Sequence, residues 1–384
     1  MGRSALRARR EHLGHVQYLL AVAAVVATLL SALAAANYAL NPYLYSPGYK
    51  ADVAAAFERG SSFAVFDLNF DMRALRREHI ARMQVTPDVV VLGGEQWQEA
   101  HAGLMPHVRF YNAHVHRDYA EDILAVTELL VRHERLPRTM IIGIRDRTFS
   151  PPATRADWWW KFFLPEYRAM ANRIGAEQFR WTETLSAAYL RELLSFRLFR
   201  TRFGRWLTAD AMPGPTRETT LDDMDLLLPD GSIQWSRRHQ ALFGPDFAMA
   251  DVTQAATRRK NDVLPIDDRA VEAMDRLIGF LRGQGVRVVL AYAPLHPALH
   301  EQLAGTPYRE GLARIAATVE KLSDRHGLEV VGSFDARAAG CMASMFIDGE
   351  HANADCLRRL IGQVPAGVAE RAPRHSAIGL RGSM

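Results

Sequence analysis

From Asp88 the chain reads DVVVLGGEQWQEA, ending at Ala100. A run of β-branched and aliphatic residues that stops at a Gly-Gly pair, Gly93 and Gly94, reads as a buried parallel strand over Asp88 to Leu92 that delivers a tight turn and then a helix. Open α/β sheets place their ligands at the carboxyl ends of such strands. Glu95 therefore stands where chemistry is expected.

The same alternation recurs along the chain. VRFYN at Val108 to Asn112 and TMIIGI at Thr139 to Ile144 read as strands, with AEDILAVTELLVRHERL between them apolar at helical spacing. Arg269 to Arg282 reads as an amphipathic helix closed by Gly285, VRVVLAYAP at Val286 to Pro294 as a strand, Tyr308 to His326 as a helix, and LEVVGSFD at Leu328 to Asp335 as a strand. Strand and helix in alternation predict an α/β domain, a parallel sheet wrapped by helices, over residues 85–364. The pattern breaks over 150–265, where WWWKFF (Trp158 to Phe163), a helical stretch near Ser186 to Leu207 and a polar run through Asp230-Gly231 read as an insertion. Insertions of this kind form lids or partner surfaces. The triple Trp is open between core packing, sugar stacking and a membrane interface. FIDGEHANADCLRRLIGQV, Phe346 to Val364, is a loop running into a last helix, and 365–384 reads as a mobile tail.

Ahead of the sheet, residues 16–40 hold VQYLLAVAAVVATLLSALAAANYAL, and no Asp, Glu, Lys or Arg occurs from Val16 until Lys50. A run of more than about 20 such residues spans a bilayer core of about 30 Å as one helix. Arg3, Arg7, Arg9 and Arg10 keep residues 1–15 cytoplasmic and send the remainder across. A cleaved signal peptide is the competing reading, from the Ala-x-Ala triplets, against an apolar run long for its h-region of roughly 7 to 15 residues. Residues 41–84 read as a juxtamembrane connector with an Arg-rich helix around Met72 to Met83, expected to present a solvated face or to lie near headgroups.

A chain of 384 residues, 48% hydrophobic and 23% charged, can bury a full core. Its 47 basic residues against 43 acidic ones give a formal charge of +4, and the arginines are scattered without a basic block interleaved with aromatics, which argues against a nucleic-acid partner. Two cysteines, Cys341 and Cys356, exclude a CxxC metal knuckle. They bracket Asp348 and His351, and an extracytoplasmic location permits a disulfide between them.

Taken together, the N-terminal anchor, VVVLGGEQWQEA, FYNAHVHRDYAED, YAPLHP and FIDGEHANADCLRRLI resemble, in order and spacing, the SGNH or GDSL-like hydrolase superfamily. The likeness is to its membrane-anchored branch in exopolysaccharide and cell-wall O-acyl modification. The resemblance implies a three-layer α/β/α sheet with a helical insertion after one transmembrane helix. Implied partners are a cell-envelope polysaccharide and a membrane O-acyltransferase or export complex, at the cytoplasmic membrane with the C-terminal domain extracytoplasmic. No cofactor is implied. In that family a Ser attacks an acyl carbonyl, a His takes its proton and an Asp three residues earlier orients the ring. Asp348 and His351 match the Asp and the His. Glu95 stands at the nucleophile position, and a carboxylate there would form a high-energy anhydride. Gly93, Gly94, Asn112, His114, His116 and Arg117 fall where the family binds substrate and the developing oxyanion.

Three readings stay open. The domain is a degenerate hydrolase that binds polymer or partner. Alternatively it is an active esterase or O-acyltransferase using Asp348 and His351 with another Ser, such as Ser333 or Ser344, or with an activated water. Or His114 and His116, with Glu95, Asp118 and His351, hold a metal ion. Asp348 and His351 could also serve only to cap the last helix and tie its loop.

Overall fold

The computed structural model describes residues 2–40, 47–65, 72–151, 163–178, 193–208 and 213–364. Among them the strands are β1 Ser62–Val65, β2 Val89–Leu92, β3 Phe110–Asn112, β4 Thr139–Ile144, β5 Gly214–Thr216, β6 Asp225–Leu227, β7 Ile233–Gln234, β8 Arg287–Tyr292 and β9 Glu329–Val331. The helices are α1 Gly2–Leu40, α2 Pro47–Glu58, α3 Met72–Arg82, α4 Ala120–Arg132, α5 Leu164–Ile174, α6 Phe196–Thr208, α7 Arg237–Leu242, α8 Pro245–Arg259, α9 Asp268–Gly283, α10 Pro297–Gln302, α11 Pro307–His326 and α12 Ala354–Gly362.

Five strands form a wholly parallel sheet in the order β3-β2-β4-β8-β9. The direction of travel reverses between β2 and β4, and the carboxyl ends of those two strands are where a doubly wound sheet opens a crevice. Side chains alternate across the sheet, so each aliphatic run feeds two cores. Val90, Leu92, Met140, Ile142, Val288 and Leu290 pack beneath α4, α9 and α11. Val89, Val91, Ile141, Val289 and Ala291 pack on the other face against Trp97, Phe346 and α12.

Beyond Gly94 the structure departs from the expected helix. A single 3₁₀ turn, Glu95–Trp97, is followed by a second, Ala102–Leu104. The carbonyls of Trp97 and Ala100, which a continuing helix would use, instead accept from Asn112 Nδ2 at 2.7 and 2.8 Å. The Trp97 indole then lies against Gly93 and Gly143, where a Cβ would collide with it.

Residues 47–65 and 72–82 are more than a connector. They place Val53, Phe63, Leu75 and Ile80 in the larger core, and β1 joins β5, β6 and β7 of the insertion in an antiparallel sheet ordered β5-β1-β6-β7. Nor is α3 a solvated face: Arg73 and Arg76 are buried. Burying a guanidinium is costly unless hydrogen-bond partners replace water. Arg73 forks onto Asp122 at 2.7 and 2.8 Å, while Arg76 donates to the carbonyls of His114 and Gly231 at 3.0 and 2.7 Å.

The 25-residue run His15–Ala39 in α1, of hydropathy 2.5, is long and apolar enough to cross a membrane. Trp158 to Trp160, the start of the helix expected near Ser186, and the 365–384 tail lie outside the described residues.

The glycine under the indole gives a direct test. Gly143→Ala should lower the unfolding free energy by about 1–3 kcal/mol in chemical denaturation. Gly283→Ala, with nothing within 4 Å, should leave it nearly unchanged.

Candidate active site

At the carboxyl end of β2, Gly94 lets the chain pass close to its neighbours: a Cβ there would come within 2.5 Å of Asp118 Oδ1 and Gln96 Oε1. Glu95 follows, half-buried, and its Oε2 accepts from the backbone N–H of Arg117. Arg117 adopts a left-handed φ of 51° to present that N–H, while its own side chain is exposed. Burial opposes charge on Glu95. Arg145, His351 and the Arg117 N–H outweigh that opposition and hold the carboxyl below the usual range.

The loop before α12 supplies the opposing groups. Asp348 Oδ2 faces His351 Nδ1 at 2.7 Å, and its Oδ1 accepts from the N–H groups of Glu350 and His351 at 2.8 Å each. Burial would discharge the imidazole, but Asp348, Glu95 and Glu350 surround it with negative charge and push it up to about 9. Helix capping does not explain the pair, because Asn353 is the residue whose side chain accepts from Asp355 and Cys356 at the start of α12. Cys341 and Cys356 are joined in a disulfide that brackets this loop, with Cα atoms 5.3 Å apart.

Sequence reasoning missed the groups that connect the two halves. Arg145, just past β4, donates to Asp118 Oδ1 at 2.8 Å and Asp146 Oδ1 at 3.2 Å. The other oxygen of Asp146 accepts from Arg259 Nη1 and the Tyr308 hydroxyl, both at 2.9 Å, and Arg259 is ion-paired to Glu350. A line of alternating charges thus runs from Glu95 through Arg145, Asp146, Arg259 and Glu350 to His351. Asp118 lies beside it, fully buried, where burial raises its carboxyl to about 7 against the pull of Arg145. An Arg-Asp pair at the end of a central strand was a readable signal. Arg259, from within the insertion, carried none.

The residues expected on the oxyanion side divide. Asn112 is buried and spends its amide on the turn and its Oδ1 on His114 N at 3.0 Å, leaving no group for substrate. His114 is buried with Nδ1 3.1 Å from Arg76 Nη2, a cation that opposes metal binding there. Among the described residues no group of three His, Cys, Asp or Glu side chains is placed to hold a metal ion. His116 is partly exposed beside Glu95, its ring centroid 6.0 Å from that of His114, and burial lowers it to about 4, so it stays neutral. Ser344 is exposed, and Ser333 Oγ accepts from Asp335 N at 3.1 Å. No protein-family model matches this chain, and no curated protein matches it.

Two outcomes follow from this loop. Folding raises His351 from 6.5 to about 9, so its stabilising contribution is complete below the unfolded value and is lost as pH rises through about 9. The stability difference between wild type and His351→Gln, measured by denaturant unfolding from pH 6 to 10, should therefore shrink across that upper range. Replacing both Cys341 and Cys356 by Ala should lower stability by about 3 kcal/mol, the chain-entropy value for a 15-residue loop, read by the same unfolding at constant pH.

Proposed function

We propose that this chain is a membrane-anchored, extracytoplasmic SGNH-like protein of envelope or exopolysaccharide acyl modification that binds polymer or a partner protein without hydrolysing an ester. The observation that carries this reading is Glu95 at the nucleophile position, acting with Asp348 and Glu350 to keep His351 protonated. A general base must be neutral to accept a proton, and with a pKa of about 9 only about 1% of the imidazole is neutral at pH 7. Asp348 contributes most of the charge that holds this proton, and Glu95, standing where the family has its Ser, adds to it.

Supporting the location are the apolar run of α1, the arginines ahead of it, and a disulfide of the kind that persists outside the cytoplasm. The membrane O-acyltransferase or export complex is the partner class that the family resemblance suggests, and a cell-envelope polysaccharide is the ligand class.

One observation favours an active acyl esterase or O-acyltransferase: the Asp348 to His351 contact is intact at 2.7 Å. Such an enzyme would accelerate as pH rises through about 9, when His351 becomes neutral.

Acetyl-ester hydrolysis by the full-length protein in detergent decides between them. Wild type should be silent at pH 7, and Glu95→Ser should gain activity that a second change, His351→Ala, removes. Hydrolysis by wild type that His351→Ala abolishes would instead establish the esterase.

A further inference from the structure

Helix α6 of the insertion has the composition of a membrane-surface helix and lies where one would be needed. Its sequence, FRLFRTRFGRWLT, sets Phe196, Leu198, Phe199, Phe203, Trp206 and Leu207 among Arg197, Arg200, Arg202 and Arg205, with no acidic residue. Phe196, Phe199 and Phe203 stand at helical spacing and form a continuous ring contact, with centroids 6.0 and 5.5 Å apart. This ridge is not a core element. Phe196 is 66% exposed and Phe203 38%, with Leu194 just ahead of the helix also exposed and Arg197 and Arg200 exposed beside them. Exposed aromatic and basic residues together on one helix match an element that lies in the headgroup zone.

Its position is fixed by the candidate span. Asn37, buried in the last turns of α1, donates from Nδ2 to the carbonyls of Leu193 and Ser195 at 2.8 and 3.1 Å, at the entry to α6. Upstream, Val16 to Leu30 of α1 is exposed, as a lipid-facing surface is in the absence of lipid, and cover begins only near Leu33. At 1.5 Å per residue the apolar run His15–Ala39 is about 37 Å long against a hydrocarbon core of about 30 Å, which puts Asn37 at the depth where the helix leaves the acyl chains. The part of α1 that other residues cover is therefore its last turns, at the outer edge of the core.

We infer that α6 is an interfacial helix: its phenylalanine ridge enters the outer boundary of the acyl chains, and its arginines bind the phosphates of anionic lipids. The inference rests on α1 being a membrane span. The occupant is a lipid surface and not a soluble protein, because the patch is continuous with the end of that span and the charged residues in the sequence of α6 are all arginines, suited to bidentate phosphate contacts.

The test uses the full-length protein in nanodiscs containing anionic lipid, with an environment-sensitive fluorophore on one introduced cysteine at a time. Lipids carry a spin label either near the headgroup or near the bilayer centre. With Phe203→Cys, the shallow label should quench at least about threefold more than the deep one, as for an interfacial helix. Leu29→Cys should show the reverse, and Leu242→Cys, exposed on α7, should show neither. Adding Arg197→Glu with Arg200→Glu should remove most of the shallow quenching at position 203. If Leu29→Cys is quenched by the deep label while Phe203→Cys behaves like Leu242→Cys, the span stands and the interfacial helix is overturned. If Leu29→Cys escapes the deep label, the span fails and the inference fails with it. Quenching at 203 that is unchanged by the double Arg→Glu change, or equal in purely zwitterionic bilayers, overturns the anionic-lipid assignment.

Discussion

The Arg145, Asp146 and Arg259 line is the constraint on which the rest of the site depends. Arg145 and Asp146 are buried and Arg259 is partly so, and a buried ion deprived of its partner costs several kcal/mol. Asp146 receives Arg145, Arg259 and Tyr308 at once, which keeps it ionised at about 2 in spite of burial. Because Arg145 follows β4, Arg259 ends α8 and Tyr308 begins α11, satisfying one carboxylate brings three elements together. The insertion is thereby a wall of the site. Helix α8 also reaches the Asp348 loop a second time, where Gly349 N donates to Asp251 at 3.0 Å.

This arrangement sets the chemistry of His351. An imidazole ringed by Asp348, Glu95 and Glu350 gains its proton at a pH well above neutrality. A serine at position 95 would contribute no charge, leaving the base to Asp348 and Glu350. In the proposed reading, a Glu in place of the Ser would remove the attacking oxygen and add to the negative charge that Asp348 already places beside His351. His351 and Arg145 stand against Glu95 and Asp348, an ordered set of positive and negative groups.

Much of the parallel sheet was legible because strands buried on both faces read as continuous aliphatic runs: β2, β4 and β8 fall within a residue or two of the stretches Asp88 to Leu92, Thr139 to Ile144 and Val286 to Pro294. What escaped was decided at long range. The helix after Gly94 was prevented by Asn112, a residue on the next strand. The burial of Arg76 depends on carbonyls at His114 and Gly231, far along the chain, so a local pattern could only suggest solvent. Strand β1 pairs with β5 and β6 in runs of three or four residues, too short to carry a period. In the site, the three-residue spacing of Asp348 and His351 was visible, whereas Arg259 entered from an insertion whose local sequence shows no strand or helix of the sheet.

The link between anchor and domain narrows what such a surface could meet. Six residues separate the end of α1 at Leu40 from the start of α2 at Pro47. Even fully extended they would reach only about 20 Å, at roughly 3.3–3.6 Å each. Since α2, β1 and α3 then enter the main core directly, and α3 carries the Arg76 that supports His114, an α1 that spans a membrane would leave the folded body no long tether with which to range from the bilayer. In the proposed reading its partner must therefore present itself at the membrane surface. A membrane-embedded acyltransferase, or a polymer strand emerging beside one, meets that geometric requirement; a polymer held far out in the envelope does not.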